Sequence, residues 1–356
     1  MTLSAGAFHE ILSGRRRGLW ATLVRAFLWP VAGIYKQGMA LRNRLYDRRL
    51  RRVHSLPCTV ISVGNLTVGG TGKTPLVETI VRMLREREIN VAIVSRGYGT
   101  PPGQPSDEKL MLAENLPDVP HVSGKDRVAC GHCAVKDHEA EVVIVDDGFQ
   151  HRRLGRDLDI VTIDATTPFG YGYVLPRGLL REPPQSLARA EIVVITRSKL
   201  VDPEELRDLE AQISRFAPEA LIVHAVEQVL SFQDLKGNER PADTLSGKRV
   251  VAFCGIGNPE AFRQTITDLG VNVAAVFVFD DHQQYTEDHL KAVDRVAADK
   301  EAEAVLTTQK DRVKIPAEFP WKHEVLVVKI GMHITKGEAE FKRRLEEVTS
   351  AEEMVA

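Results

Sequence analysis

After the apolar run Thr59–Val63 the chain reads Gly64-Asn65-Leu66-Thr67-Val68-Gly69-Gly70-Thr71-Gly72-Lys73-Thr74-Pro75, and a helical pattern follows. A glycine-rich turn between a buried strand and a helix can aim backbone N–H groups at an anion, with the helix N-terminus beneath it. A lysine that reaches the β- and γ-phosphates and a hydroxyl for Mg²⁺ complete such a phosphate loop. Thr67, Val68, Gly69, Gly70, Thr71, Gly72, Lys73 and Thr74 are therefore the expected nucleotide cradle. One departure stands out: the usual GxxxxGK spacing places a glycine where this chain has Thr67. An ordinary strand-to-helix turn has no need of Lys73 and Thr74 together.

The surrounding pattern agrees. Short apolar runs at Thr59–Val63, Val91–Ser95, Val142–Val145, Ile160–Ile163 and Ile192–Thr196 alternate with helical stretches such as Pro75–Glu88, Lys125–Glu139 and Pro203–Phe216. Continuously apolar strands between amphipathic helices indicate a parallel sheet covered on both faces. A second series follows, with strands at Val250–Cys254, Val271–Phe279, Ala304–Thr307 and Val325–Lys329, but without a phosphate loop. The expected fold is α/β, with two α/β/α domains of mostly parallel sheet, the first resembling a P-loop NTPase. The expected boundaries are 1–52 for a basic apolar segment, 53–225 for the phosphate-loop domain, 226–246 for a short connector and 247–356 for the second domain.

A nucleotide site of this class needs carboxylates at the C-terminal end of a neighbouring strand, where the ligand crevice opens. Val142-Val143-Ile144-Val145-Asp146-Asp147-Gly148-Phe149-Gln150 supplies them. Asp146 is the expected metal anchor with Thr74, and Asp147 and Gln150 lie within reach of the same ion. Two adjacent carboxylates at the end of a buried strand would be costly without a cation.

Charge is unevenly spread. Residues 1–52 hold eleven Lys and Arg against two acids, a net of +9, whereas the whole chain carries −2. That balance excludes a global polycation for duplex nucleic acid. Within the basic end, residues 18–35 form an apolar run with Arg25 in the middle, and a central Arg disfavours a spanning helix. Trp20, Phe27, Trp29 and Tyr35 among arginines suggest a helix lying on an anionic membrane surface; the plainer reading is a helix packed on its own domain. Four cysteines indicate no disulfide framework, and Cys130-Gly131-His132-Cys133 falls inside an expected helix rather than at its start, which argues against redox chemistry. No second ligand pair is present for zinc.

Taken in order, GNLTVGGTGKTP, Ser95-Arg96-Gly97-Tyr98-Gly99, Asp107-Glu108, Asp126-Arg127, VDDGFQHRRLGRDLDI, LPRGLLREP, Phe279-Asp280-Asp281-His282 and Thr308-Gln309-Lys310-Asp311 resemble the tetraacyldisaccharide 4′-kinase family, the lipid A 4′-kinases of Gram-negative bacteria. The resemblance implies transfer of the ATP γ-phosphate, with Mg²⁺, to the 4′-hydroxyl of a tetraacylated glucosamine disaccharide 1-phosphate, at the cytoplasmic face of the inner membrane. It implies no obligate protein partner. By position it also implies catalytic roles for Lys73, Asp147, Arg127, Asp107 and His282, with Tyr98, Glu108 and Arg181 around the phosphates and acceptor.

A sugar hydroxyl is a poor nucleophile and benefits from a general base. Asp107 with His282 is the candidate pair, and His282 lies in the second expected domain, so closure of the two would complete the site. Two other classes remain open: a phosphate-loop ATPase or GTPase switch at the membrane, and a non-catalytic membrane adaptor. The first would need a base-reading NKxD segment, which the order Thr308-Gln309-Lys310-Asp311 does not match; the second is disfavoured by intact Lys73, Thr74 and Asp146.

Overall fold

A computed structural model of the chain describes residues 10–97, 107–280, 283–316 and 318–350. The chain enters through a long helix, α1 (Leu19–Asp47), which continues through Pro30. It then runs β1 (Thr59–Asn65), α2 (Lys73–Arg85), β2 (Val91–Ser95), α3 (Asp107–Asn115), β3 (His121–Ser123), α4 (Arg127–His138), β4 (Val142–Asp146), β5 (Leu158–Asp164), β6 (Ile192–Thr196) and α5 (Pro203–Phe216). Every residue of β1, β2, β4, β5 and β6 is buried, as their unbroken apolar runs require of strands covered on both faces.

The remainder contributes β7 (Leu221–Asp234), β8 (Glu239–Pro241), β9 (Arg249–Cys254), α6 (Pro259–Thr267), β10 (Asn272–Val278), α7 (Glu287–Asp299), β11 (Ala304–Thr308), a single helical turn Gln309–Arg312, β12 (Val325–Lys336) and α8 (Glu338–Ser350). Among the described residues all the strands join one sheet in the order β10-β9-β11-β12-β7-β6-β5-β1-β4-β2-β3, with β8 beside β7. Pairing is parallel throughout except at β7–β12 and β7–β8.

The expected connector 226–246 needs correction. Its first nine residues are the second half of β7, and residues 239–241 form β8. Strand β7 pairs with β6 through Leu221–His224 and then with β12 in antiparallel register from His224 to Asp234. The boundary at 225 therefore falls inside a strand that both series share. The core under α2 makes the same point, because Leu76, Val77, Ile80 and Leu84 pack in one cluster with Met332 and Ile334 of β12 and Phe341 and Leu345 of α8.

The cysteine motif lies within α4, whose N-cap is Asp126, accepting from the backbone N–H groups of Val128 and Ala129 at 3.1 and 3.3 Å. Burial pushes the Cys130 thiol above its usual value, and a hydrogen bond to Asp137 does the same for Cys133. Neither is an activated thiolate.

Helix α1 divides its faces. Ala21, Ala32, Tyr35, Arg42 and Asn43 meet the protein: Tyr35 donates to the Arg181 carbonyl at 2.9 Å, Asn43 to the Glu182 carboxylate at 2.8 Å, and Arg42 to the Gln150 carbonyl. Trp20, Leu23, Phe27, Ile34 and Leu41 recur at helical spacing along the opposite face and are all exposed. Among the described residues no helix is long and apolar enough to cross a membrane.

Candidate active site

The phosphate loop is built where β1 ends. Gly64 is required there by close approach: a Cβ at this position would stand 2.5 Å from the Phe149 Cβ and 2.7 Å from its backbone nitrogen. The Asp146–Gln150 turn thus lies directly on the root of the loop, joined to it by Gly148 N–H to the Val63 carbonyl at 3.1 Å and Gln150 Nε2 to the Asn65 carbonyl at 2.9 Å. Gly69 (φ 109°) and Gly72 (φ 78°) occupy left-handed backbone, and Gly72 caps α2.

Thr67 stands in for a glycine because the chain is extended there. It bridges Leu180, while Val68 N–H reaches the Leu179 carbonyl at 2.8 Å and Arg181 N–H the Leu66 carbonyl at 2.7 Å. This short ladder fastens the LPRGLLREP string to the front of the loop and delivers Arg181. Val68, Gly69, Gly70, Thr71, Gly72, Lys73 and Thr74 line a cleft, Gly69 and Gly70 exposed to it and Thr71 buried in its wall, whereas Thr67 is buried away from it.

Asp147, also in left-handed backbone (φ 54°), receives two cations. Arg181 Nη1 donates to both of its carboxylate oxygens, at 2.9 and 2.7 Å, and Lys73 Nζ lies 3.5 Å away. Burial opposes ionisation of Asp147, but Lys73 and Arg181 outweigh it and hold the carboxyl below its usual range. Asp146, Gln150 and Arg127 line the same cleft. Gln150 Oε1 is buried and has no hydrogen-bond partner within the protein. Burial and Arg96 press the Arg127 pKa down, and Asp147 works against them. His151, on the same wall, is driven down to about 4 by burial and by Arg127, Arg156 and Arg42, so it is neutral at pH 7.

Thr74, Asp146 and Gln150 offer a hydroxyl, a carboxylate and an amide oxygen, the hard donors that Mg²⁺ prefers. The unpaired Gln150 oxygen fits such an ion. Among the described residues no group of three or more His, Cys, Asp or Glu gathers into an all-protein cage. Mg²⁺ bound with nucleotide phosphates needs only one or two carboxylates.

The cleft has a volume of about 1000 Å³. Its walls come from α1 (Tyr35, Met39, Arg42), from the loop and the Asp146–His151 turn, and from the second series of elements (Asn258, Phe262, Gln309, Lys310). Asp107 and Glu108 form the first turn of α3, but their side chains, like Tyr98 and His282 as whole residues, lie outside the described part of the structure.

Four cleft residues, Tyr35, Arg42, Arg197 and Glu227, and Asp164 behind Arg197, escaped the sequence reading. Tyr35 and Arg42 looked like members of a basic apolar helix, and nothing local marked their inward face. Asp164 ends β5 as Asp146 ends β4, so the strand-end rule could have found it. Arg197 and Glu227 are single charges whose meeting depends on tertiary structure alone.

Residues 24–350 match the protein family described as Tetraacyldisaccharide-1-P 4'-kinase. The tetraacyldisaccharide 4'-kinase of Syntrophus aciditrophicus (strain SB) is 39% identical over 79% of this chain and 82% of its own length. That of Halothermothrix orenii is 35% identical over 92% of this chain and 93% of its own. A crystal structure of LpxK from Aquifex aeolicus in complex with ATP superimposes with a TM-score of 0.72 at 29% identity, covering 92% of this chain and 99% of that one.

Proposed function

Because this chain belongs to the tetraacyldisaccharide-1-P 4'-kinase family, we propose that its cleft binds ATP with Mg²⁺ and transfers the γ-phosphate to the 4′-hydroxyl of a tetraacyldisaccharide 1-phosphate. The observation that carries this reading is the convergence of Lys73, Asp146, Asp147, Gln150 and Arg181 on one cleft beside a phosphate loop.

Phosphoryl transfer depends chiefly on positioning and on neutralising charge at the phosphate oxygens. Lys73 lies at the start of α2, 3.5 Å from Asp147, where its ammonium would reach the β- and γ-phosphates. Asp147 and Arg181 then hold the loop and the LPRGLLREP string in register. Thr74, Asp146 and Gln150 would hold Mg²⁺, which neutralises charge on the β- and γ-phosphates when bound. Arg127, buried on the cleft wall, is a second cation for the transferring group. Asp107 and His282 serve as the proton-accepting pair for the sugar hydroxyl, with Tyr98 and Glu108 beside the acceptor.

The acceptor carries acyl chains, and α1 supplies both a cleft wall and an exposed apolar stripe. We place that stripe in the surface of an anionic membrane, at the cytoplasmic face where ATP is available. A guanine-dependent switch finds no support in the Thr308–Asp311 segment. Asp311 is fully buried, accepting from Gly255 N–H at 3.0 Å and the Thr308 hydroxyl at 2.7 Å, so its carboxylate is not offered to a base.

The test is incubation with radiolabelled ATP, Mg²⁺ and the tetraacyl disaccharide 1-phosphate, followed by thin-layer separation. A labelled lipid product is expected. Label released only as inorganic phosphate, at a rate indifferent to the lipid, would overturn the reading in favour of a simple nucleotidase.

A further inference from the structure

The phosphate loop is tied internally through the Thr71 hydroxyl, which accepts from Asn65 Nδ2 at 3.0 Å, but its glycine stretch has no side chains to hold it. Gly69 and Gly70 have open space where side chains would stand, and Gly72 is in left-handed backbone. Glycine backbone is conformationally permissive, so its orientation has to come from outside the loop. Thr196 and Arg197, at the end of β6, provide two contacts. The Thr196 hydroxyl donates to the Thr71 carbonyl at 3.0 Å, and Arg197 Nη1 donates to the Gly70 carbonyl at 2.9 Å.

A peptide unit is planar, and its C=O points opposite to the N–H of the following residue. Holding the Gly70 and Thr71 carbonyls on the β6 side therefore sets the N–H directions of Thr71 and Gly72. These are two amides of the stretch that would receive the phosphates. Arg197 is itself held: it is only 8% exposed, in left-handed backbone (φ 55°), with Asp164 on Nη1 and Glu227 Oε1 on Nη2 at 3.1 Å. Asp164 ends β5, and Glu227 stands on β7 opposite Met332 of β12. A buried ion cluster is weak evidence for stability, since apolar residues could fill the same space. Its geometry toward the Gly70 carbonyl points to a role in binding.

We propose that Arg197, seconded by Thr196, is a positioning residue for the nucleotide. It fixes the Gly70–Gly72 peptides in the orientation that receives the phosphates, and Asp164 and Glu227 fix Arg197. The proposal rests on the kinase reading above.

Its test compares Arg197→Met, Arg197→Lys, Thr196→Val and Glu227→Gln with the wild-type chain, varying ATP at saturating lipid and lipid at saturating ATP. Arg197→Met should raise the KM for ATP at least about tenfold, equivalent to ~1.4 kcal/mol, and leave the KM for lipid within about twofold. Arg197→Lys should recover part of the loss, since an ammonium can still reach one carbonyl. Glu227→Gln keeps an acceptor for Nη2 and should stay closer to wild type than Arg197→Met. Thr196→Val removes one hydroxyl, leaves every charge in place and should raise the KM for ATP about threefold. A folded Arg197→Met with an unchanged KM for ATP, or with both KM values raised alike, overturns the proposal. Should Arg197→Met fail to fold, an unchanged Thr196→Val overturns it instead. Equilibrium dialysis with radiolabelled ATP reads the same effect without lipid, so a wild-type chain that binds ATP but phosphorylates nothing would refute the kinase reading while leaving Arg197 testable.

Discussion

The exposed stripe of α1 can be tested without touching the helix's inner face. Deleting residues 15–52 would also remove Tyr35, Arg42 and Asn43 from Arg181, Gln150 and Glu182, and so would damage the cleft. Replacing Trp20, Phe27 and Ile34 with Ser avoids this, because they stand on the outer face and are 67%, 72% and 74% exposed. Fully burying one large apolar side chain is worth ~1.5–3 kcal/mol. With about seven-tenths of each surface left to bury, the three together contribute roughly 3–6 kcal/mol of membrane binding if the whole stripe enters the interface. At 1.4 kcal/mol per tenfold, partitioning onto anionic vesicles should fall by about 10²–10⁴. Flotation with phosphatidylglycerol-containing vesicles measures it. Raising salt should weaken wild-type binding without abolishing it, since the arginine contribution of about 1 kcal/mol per cation is screened and the apolar contribution is not. Hydrolysis of ATP without lipid, where detectable, should be unchanged in the triple variant. Flotation equal to wild type at both salt concentrations would refute membrane contact through this stripe.

Other expectations concern the site and its titration. Lys73→Ala and Asp146→Ala should each lower lipid phosphorylation by ~10²-fold or more while the protein stays folded, as phosphate and metal contacts usually do; product formation within tenfold of wild type in either would remove that residue from the site. Asp107→Ala and His282→Ala should each reduce kcat more than ATP affinity, and the double variant should be hardly worse than the poorer single one, because residues acting as a unit are not additive; multiplying losses would show separate roles. Stability should fall with acid between about pH 6.5 and 4. His151 and His121 both titrate near 4 when folded, His121 because of burial and Lys109, and near 6.5 when unfolded. The unfolded chain therefore binds more protons in that window, at up to ~1.4 kcal/mol per pH unit for each histidine. His151→Gln should flatten the slope of Tm against pH there, and an identical slope would show that His151 binds its proton equally in the folded and unfolded states.

Strong local patterns made most of this fold readable. The β1–loop–α2 unit, the strand ending at Asp146 and the apolar runs of β2, β5 and β6 announce themselves within a dozen residues each. Strand β7 does not. His224, Glu227, Gln228, Ser231 and Gln233 interrupt its apolar pattern, and its partner β12 lies about a hundred residues further on. A strand whose two neighbours run in opposite directions has burial that changes along its length, so no single period marks it. The same distance hides the Arg197–Glu227 contact and the seating of Arg42 on the Gln150 carbonyl. Lys73, Asp147 and Arg181 were each readable as candidate site residues, whereas the mutual pairing that lowers the Asp147 pKa needed coordinates.

Strand β12 and helix α8 close the core beneath the phosphate-loop helix, with Met332 against Gly72 and Phe341 and Leu345 against the cluster that holds Leu76 and Ile80. The order of synthesis gives that arrangement a meaning. When the nucleotide loop is made, Met332 of its own floor lies 260 residues beyond Gly72 and is still to come. Contacts of such large sequence separation form late, because loop closure must precede them. Chains cut short before residue 325 should therefore present the phosphate-loop signature without a loop able to grip ATP. Nucleotide binding is then expected only once β12 has been added, and a polypeptide ending before it should neither sequester nor consume ATP.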